Sequence, residues 1–222
     1  YIGNKKSYGK VGGIIGNDEK SMGCVIFNCK IEKTNIQGAV TGGILGSTHL
    51  DLQGSSAATD YARFRVVNCE VSGDKDEQGI PKYTITGNRF AGGVVGYDGD
   101  DKTDFSPIFN DQTYQYKIDG CYVHDYNITM SAVDNYDSYG VAGLLGGSEV
   151  NNSTIVNSKV DNCIITDKTS KEKRGLGGII GYANEGNGLK GFNIVISNNK
   201  LQNTAVSDDT KIGNLIGFAV ED

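Results

Sequence analysis

The sequence predicts an all-β fold, a right-handed parallel β-solenoid of about six coils with inserted loops, and three observations carry that reading. A six-residue glycine phrase recurs along the whole chain. A second, aliphatic phrase falls between successive copies. Both are short Val/Ile-rich segments separated by Gly, Asn, Asp and Ser, the pattern of strands and turns.

The glycine phrase reads VGGIIG (11–16), TGGILG (41–46), AGGVVG (91–96), VAGLLG (141–146), LGGIIG (176–181) and IGNLIG (212–217). Its closing glycines are 30, 50, 50, 35 and 36 residues apart, so the unit is about 30 residues with insertions of varied length. The second phrase is an apolar residue, then Cys, Ser or Asn three places on, then an aliphatic two further and another at plus seven from the Cys position. It surrounds Cys29 (Ile26, Ile31, Ile36), Cys121 (Ile118, Val123, Ile128), Ser158 (Ile155, Val160, Ile165) and Asn199 (Ile196, Leu201, Val206). Cys69 fits with Val66 and Val71, while Ile85 is displaced by an insertion containing Gly79, Ile80 and Pro81.

A three-segment unit of this length cannot bury its own apolar side, so neighbouring units must stack into one continuous core at an interstrand spacing of about 4.8 Å. Glycines at one place in every unit let adjacent coils approach and supply tight corners. No GxGxxG opens a helical pattern, which removes a dinucleotide-binding reading. The sole helical candidate is Ser55 to Phe64, with Ser55 or Ser56 as its cap.

The repeat resembles the GLUG repeat of bacterial surface proteins, which also occurs in the non-catalytic region of immunoglobulin A peptidases. The matching residues are the six glycine phrases, the pairs Asn28-Cys29 and Asn68-Cys69, and the variants Gly120-Cys121, Asn157-Ser158 and Asn198-Asn199. Residues 1–222 are read as a single GLUG-like domain excised from a larger protein. The resemblance implies a secreted or surface-anchored, non-enzymatic adhesion or spacer module that meets a host protein or glycan through its loops. The alternative is an accessory region of a secreted peptidase or polysaccharide-processing enzyme. The HExxH phrase of the peptidases is absent, so their chemistry does not carry over.

Composition agrees with this reading. Of 222 residues 32 are Gly, 2 are Pro and none is Trp, without a collagen period, and 37% hydrophobic content argues against disorder. A net charge of −6 offers no footprint for nucleic acid or an anionic bilayer, and no apolar run approaches the ~18 residues that span a membrane.

Five cysteines (24, 29, 69, 121, 163) are an odd number without zinc spacing, so they read as buried free thiols, with Cys29, Cys69, Cys121, Ser158 and Asn199 in one column. His49 and His124 read as solvated surface residues. Asp98, Asp100, Asp101 and Asp104 in YDGDDKTD are the densest carboxylates; oxygen ligands in a glycine-containing loop suit Ca²⁺, although EF-hand spacing is missing. The group reads first as a solvated loop with calcium as the alternative, and no other cofactor is expected.

Both aliphatics of every glycine phrase are apolar. If the segment stays extended, one of the two columns points outward and needs cover by the following insertions (Ser47 to Arg63, Tyr97 to Lys117) or by a flanking domain. A corner that turns both inward is the other solution. Tyr97, Phe105, Tyr114 and Tyr116 in or beside the long insertion, and Tyr122, Tyr126, Tyr136 and Tyr139 near the Cys121 strand, are the candidate ligand-binding aromatics. An ice- or crystal-binding solenoid needs a flat Thr or Ser ladder, and none is visible in the linear sequence.

Overall fold

The computed structural model describes residues 2–3, 9–18, 24–48, 64–99, 117–131, 139–148, 154–169, 174–183, 190–204 and 210–219. Among them are twenty-six short strands and no helix. All ladder pairings are parallel, and the one antiparallel contact is the isolated Lys75–Pro81 bridge. This is the arrangement of a parallel β-solenoid. The helical candidate at 55–63 lies outside the described residues, and Phe64 opens a strand.

The strands form four stacked sheets, and we call each level of the stack a rung. Sheet C holds β4 (Cys24–Phe27), β8 (Phe64–Val67), β12 (Ile118–Asp119), β17 (Thr154–Val156) and β22 (Lys190–Phe192). Sheet D holds β5 (Lys30–Glu32), β9 (Glu70–Ser72), β13 (Tyr122–His124), β18 (Lys159–Asp161) and β23 (Val195–Ser197). Sheet A is built on the long β6 (Ile36–Gly42) and β10 (Tyr83–Gly92). On their first halves stack β1 (Ile2–Gly3), β14 (Tyr126–Met130), β19 (Ile164–Asp167) and β24 (Lys200–Asn203). On their second halves stack β2 (Lys10–Gly12), β15 (Tyr139–Ala142), β20 (Arg174–Gly177) and β25 (Thr210–Gly213). Sheet B holds β3 (Ile15–Asn17), β7 (Leu45–Ser47), β11 (Val95–Asp98), β16 (Leu145–Ser148), β21 (Ile180–Ala183) and β26 (Ile216–Ala219).

Register places like on like. Ile31, Val71, Val123, Val160 and Ile196 form one column of sheet D, and Ile36, Ile85, Ile128, Ile165 and Leu201 one of sheet A. Ile85 therefore keeps its place despite the preceding insertion. The five-residue spacing of Ile155, Val160 and Ile165 follows: each side is a short strand whose middle residue points inward, and a two-residue turn leads to the next side.

The first turn residue is left-handed at Asn28, Asn68, Gly120, Asn157 and Asn193 (φ 50 to 63°). Asn tolerates this region because its short amide bonds locally, and here the amides stack: Asn193 Nδ2 donates to Asn157 Oδ1 at 2.7 Å and Asn157 Nδ2 to Asp119 Oδ1 at 2.9 Å. Gly120 interrupts the ladder where a Cβ would lie 2.2 Å from Asn68 Oδ1.

The glycine phrase is a corner. Its first glycine ends the sheet A strand, the next two residues bend, and sheet B begins. Ile44 and Leu45, Val94 and Val95, Leu144 and Leu145, and Ile179 and Ile180 all lie in the same buried core, so both columns turn inward and no outward aliphatic stripe needs cover. The second glycine faces the opposite wall: a Cβ on Gly43 would meet Val71 Cγ2 at 2.9 Å, so the valine column of sheet D fills that space.

Candidate functional site

With Val71, Val123 and Val160 inward, strand alternation turns Glu70, Ser72, Tyr122, His124, Lys159 and Asp161 outward. This flank of sheet D carries the densest group of titratable side chains among the described residues. His124 is the hub, with Nδ1 2.7 Å from Asp125 Oδ2 and Nε2 3.1 Å from Glu70 Oε1. Glu70 also pairs with Lys30 (3.2 Å) and Asp125 with Lys75 (3.0 Å). On the next rung Asp161 accepts from Lys159 Nζ (3.1 Å), Ser197 Oγ (2.8 Å), Asn198 Nδ2 (3.0 Å) and Tyr122 OH (3.3 Å).

The carboxylates respond to this setting. Burial alone would raise Asp161, but hydrogen bonds from Ser197, Lys159 and Asn198 win and hold it at about 2. Glu70 and Asp125 are likewise lowered: burial opposes, and bonds from His124 with Lys30 or with Asn162 and Lys75 prevail. The surface is therefore ionised and internally paired at neutral pH. It offers hydrogen-bonding edges rather than a free nucleophile, since both ring nitrogens of His124 face carboxylates. Among the described residues no group of three or more His, Cys, Asp or Glu side chains is arranged to hold a metal.

The candidate aromatics separate sharply. Tyr122 lies on this flank, its ring stacked on His124 (centroids 4.4 Å apart) with Lys159 Nζ 4.9 Å from its centroid. Tyr97, Tyr126 and Tyr139 are fully buried, which removes them from any ligand surface. Tyr126 OH accepts from Thr34 N and donates to Thr34 O, both at 3.0 Å, and Tyr97 packs on Phe90 with centroids 4.6 Å apart. The sequence missed their burial because ring content does not show which way a strand faces. Phe105, Tyr114, Tyr116 and Tyr136 lie outside the described residues, as do His49 and the calcium candidates Asp100, Asp101 and Asp104.

Asp98 is no solvated loop residue. It is fully buried at the end of β11, and Lys117 Nζ lies 2.8 Å from its Oδ2 across the base of the 99–116 insertion. Asp167 and Arg174 repeat the device, buried and 3.7 Å apart at the two ends of the 168–173 passage. His124 also departs from the expected solvated residue, with only 20% of its side chain exposed.

The five cysteines are free thiols; Cys69, Cys121 and Cys163 are buried as expected, whereas Cys24 and Cys29 are only partly buried. Cys29, Cys69 and Cys121 occupy one column, followed by Ser158, because each precedes paired residues of sheet D. In-register parallel neighbours keep their Cβ atoms about 4.8 Å apart, beyond the roughly 3.5–4.5 Å of a disulfide. Each side chain instead links rungs: Cys29 N donates to Cys69 Sγ (3.4 Å) and Cys121 N to Ser158 Oγ (3.1 Å). Burial raises Cys163 to about 12 and is the main cause that raises Cys24 to about 11. Asn199 is not in this column. It stacks beside Cys163, whose N–H it accepts at 2.7 Å, and Ile194 follows Ser158.

Of the site residues the sequence overlooked, Glu70, Asp125 and Asp161, the first and last had a signal. Positions one and three after the Cys29 column read Lys30/Glu32, Glu70/Ser72, Tyr122/His124 and Lys159/Asp161. Comparison with protein-family models, with curated proteins and with solved structures finds no match for this chain.

Proposed function

We propose that the chain is a non-enzymatic adhesion or spacer module of a secreted or cell-surface bacterial protein, a right-handed solenoid of six coils that presents inserted loops to a host protein or glycan. One observation carries this. The passage from sheet C to sheet D is two residues in every rung (28–29, 68–69, 120–121, 157–158, 193–194), whereas the passage from sheet B to sheet C reaches 48–63 and 99–117. Length varies at chosen edges while register is kept elsewhere, the signature of a rigid scaffold with variable excursions. Right-handedness rests on the strong preference of parallel crossovers for that hand, and six coils on the six glycine phrases. The buried Asp98–Lys117 pair closes the base of the longest excursion, which suits a loop held in place for contact.

The test is a glycan and host-protein binding screen of the chain, with and without Ca²⁺, alongside a variant lacking residues 100–116. The proposal expects a saturable ligand whose binding falls in the deletion variant. Absence of any ligand, or one indifferent to the deletion, overturns it. A calcium requirement would bring Asp100, Asp101 and Asp104 into the site.

A further inference from the structure

The corner between sheets C and D stacks three thiols in consecutive rungs. Cys29, Cys69 and Cys121 each follow a left-handed turn residue (Asn28, Asn68 and Gly120), and their sulfurs take the same course. Cys29 Sγ donates to Phe27 O at 3.4 Å, Cys69 Sγ to Val67 O at 3.4 Å and Cys121 Sγ to Asp119 O at 3.6 Å, always the carbonyl two residues back. Two of them also reach the preceding rung, Cys69 Sγ to Ile26 O at 3.5 Å and Cys121 Sγ to Val66 O at 3.3 Å. Sulfurs held in one orientation repeat at the rung spacing of about 4.8 Å. Cys69 is the middle of this file: its sulfur accepts from Cys29 N at 3.4 Å and has the Cys29 and Cys121 thiols as side-chain hydrogen-bonding neighbours. Cys69 and Cys121 are buried, whereas Cys29, in the first described rung of sheet D, is half-buried.

We propose that Cys29 and Cys69 bind one soft monovalent cation, Cu(I), in linear two-thiolate coordination between neighbouring rungs. The site is independent of the adhesive reading above. Spacing selects the bridge: the sulfurs of a disulfide lie about 2 Å apart, which stacked rungs forbid, whereas two metal–thiolate bonds of about 2.3 Å laid end to end span nearly the rung spacing. Chemistry selects the ion. Thiolates are soft donors that favour Cu(I) over the hard cations, and a closed-shell d¹⁰ ion is satisfied by two collinear bonds. Tetrahedral Zn²⁺ needs four ligands, and no such group of His, Cys, Asp or Glu converges among the described residues. Binding releases both thiol protons to solvent and leaves one negative charge on the pair, towards which the Cys29 N–H already points. Cys69 belongs to the buried apolar core, which keeps water from the ion, and half-buried Cys29 is the side from which the ion enters. The next residue of the column, Ser158, accepts from Cys121 N at 3.1 Å, so serine fits this file and removes a sulfur without removing the rung contact.

The experiment titrates the intact, reduced chain with Cu(I) under anoxia in competition with the coloured chelator bathocuproine disulfonate. Expected is one equivalent retained by the protein, with X-ray absorption showing two sulfur neighbours and no nitrogen, and no displacement by excess Zn²⁺. Cys29→Ser and Cys69→Ser should each weaken binding by about tenfold or more, while Cys121→Ser and Cys163→Ser leave it unchanged; melting curves confirm that each variant folds. Cu(I) should also raise the melting midpoint of the native chain and not that of Cys29→Ser. One readout needs no variant: bound Cu(I) should protect Cys29 from N-ethylmaleimide, located by peptide mass. The proposal is overturned if the chelator strips all the Cu(I), if Cys29 alkylates equally with and without Cu(I), if either serine variant at Cys29 or Cys69 binds like the native chain, or if absorption shows three or more ligands. None of these results bears on the loop-dependent binding tested above, so the two readings fail separately.

Discussion

Interior and terminal rungs carry the same residues in the same register and meet different fates. Ile44 at the corner is fully buried, whereas its column-mates Ile14 in the first rung and Leu215 in the last are 45% and 60% exposed. Among the described residues, the large exposed apolar side chains Ile2, Ile14 and Phe27 lie at one end of the stack and Phe192, Val195, Ile212, Leu215 and Ile216 at the other, with only Ile80 between. Locally the first phrase, VGGIIG, reads like an interior one, and the last, IGNLIG, departs by Asn214 at its third position. Burial here belongs to the stack, because each rung is covered by its neighbours and the first and last described rungs have one described neighbour each.

The comparison breaks most visibly where the interior has no room at all. A Cβ on Gly93 would lie 2.0 Å from Gly143 O and 2.8 Å from Val123 Cγ1. Gly93→Val should therefore cost more than about 4 kcal/mol, by overpacking against backbone that cannot retreat, and leave little folded protein in urea denaturation. Gly79 has nothing within 4 Å of its Cβ position and a φ of +81°, so Gly79→Ala should cost only about 1 kcal/mol of backbone strain. Equal losses at the two sites would deny that rung contact sets the difference.

The ion pairs follow the same division. Lys117→Met removes a buried cation from beside the equally buried Asp98 carboxylate and should cost about 3–5 kcal/mol, with most of the loss recovered by adding Asp98→Leu. Lys30→Met breaks exposed pairs with Glu32 and Glu70 at the first described rung of sheet D and should leave the unfolding midpoint nearly unchanged. A double-mutant cycle reads both. Among apolar positions, Ile44→Ala should cost about 3 kcal/mol for lost burial plus a cavity, and Leu215→Ala under about 1 kcal/mol. If the Leu215 loss rose to the Ile44 value only as protein concentration increased, the last rung would be covered by a second molecule.

Much of the fold was legible because the glycine phrase is periodic in chemistry even where spacing is not: six copies fixed the repeat, while the apolar pairs fitted an extended strand as well as a corner, and only the stacked core decides for the corner. The aliphatic phrase was ambiguous by one side of the solenoid. Ile155-Ser158-Val160 and Val160-Cys163-Ile165 have identical spacing, so the pattern overlaps itself, and spacing alone fits Asn199 to the Ser158 column as well as to its actual place beside Cys163. The site was less legible than the fold. Asp98 and Lys117, like Asp167 and Arg174, meet only when the chain returns from an excursion. Tyr126 and Tyr139 looked like surface aromatics because composition reports ring content and not which way a strand faces.

The smallest expected effect is the most specific to the sheet D flank. Asp161 at about 2, with Glu70, Asp125 and the exposed Asp74 also lowered, means that folded carboxylates hold protons more weakly than unfolded ones. Such groups stabilise the fold fully above their unfolded values near 4, and the contribution disappears as pH falls through the folded values. Stability should therefore decline between about pH 5 and pH 2. Asp161→Asn should remove about 1 kcal/mol at pH 7, discounted for its partial exposure, and flatten that acid limb. Since Asp161 ties rung to rung through Ser197 and Asn198, the loss should appear first as faster amide exchange in β23, the strand next to the open end. An acid limb unchanged in Asp161→Asn would mean that its bonds to Ser197 and Asn198 are decorative, and that the apolar columns alone set the stability of the last rungs.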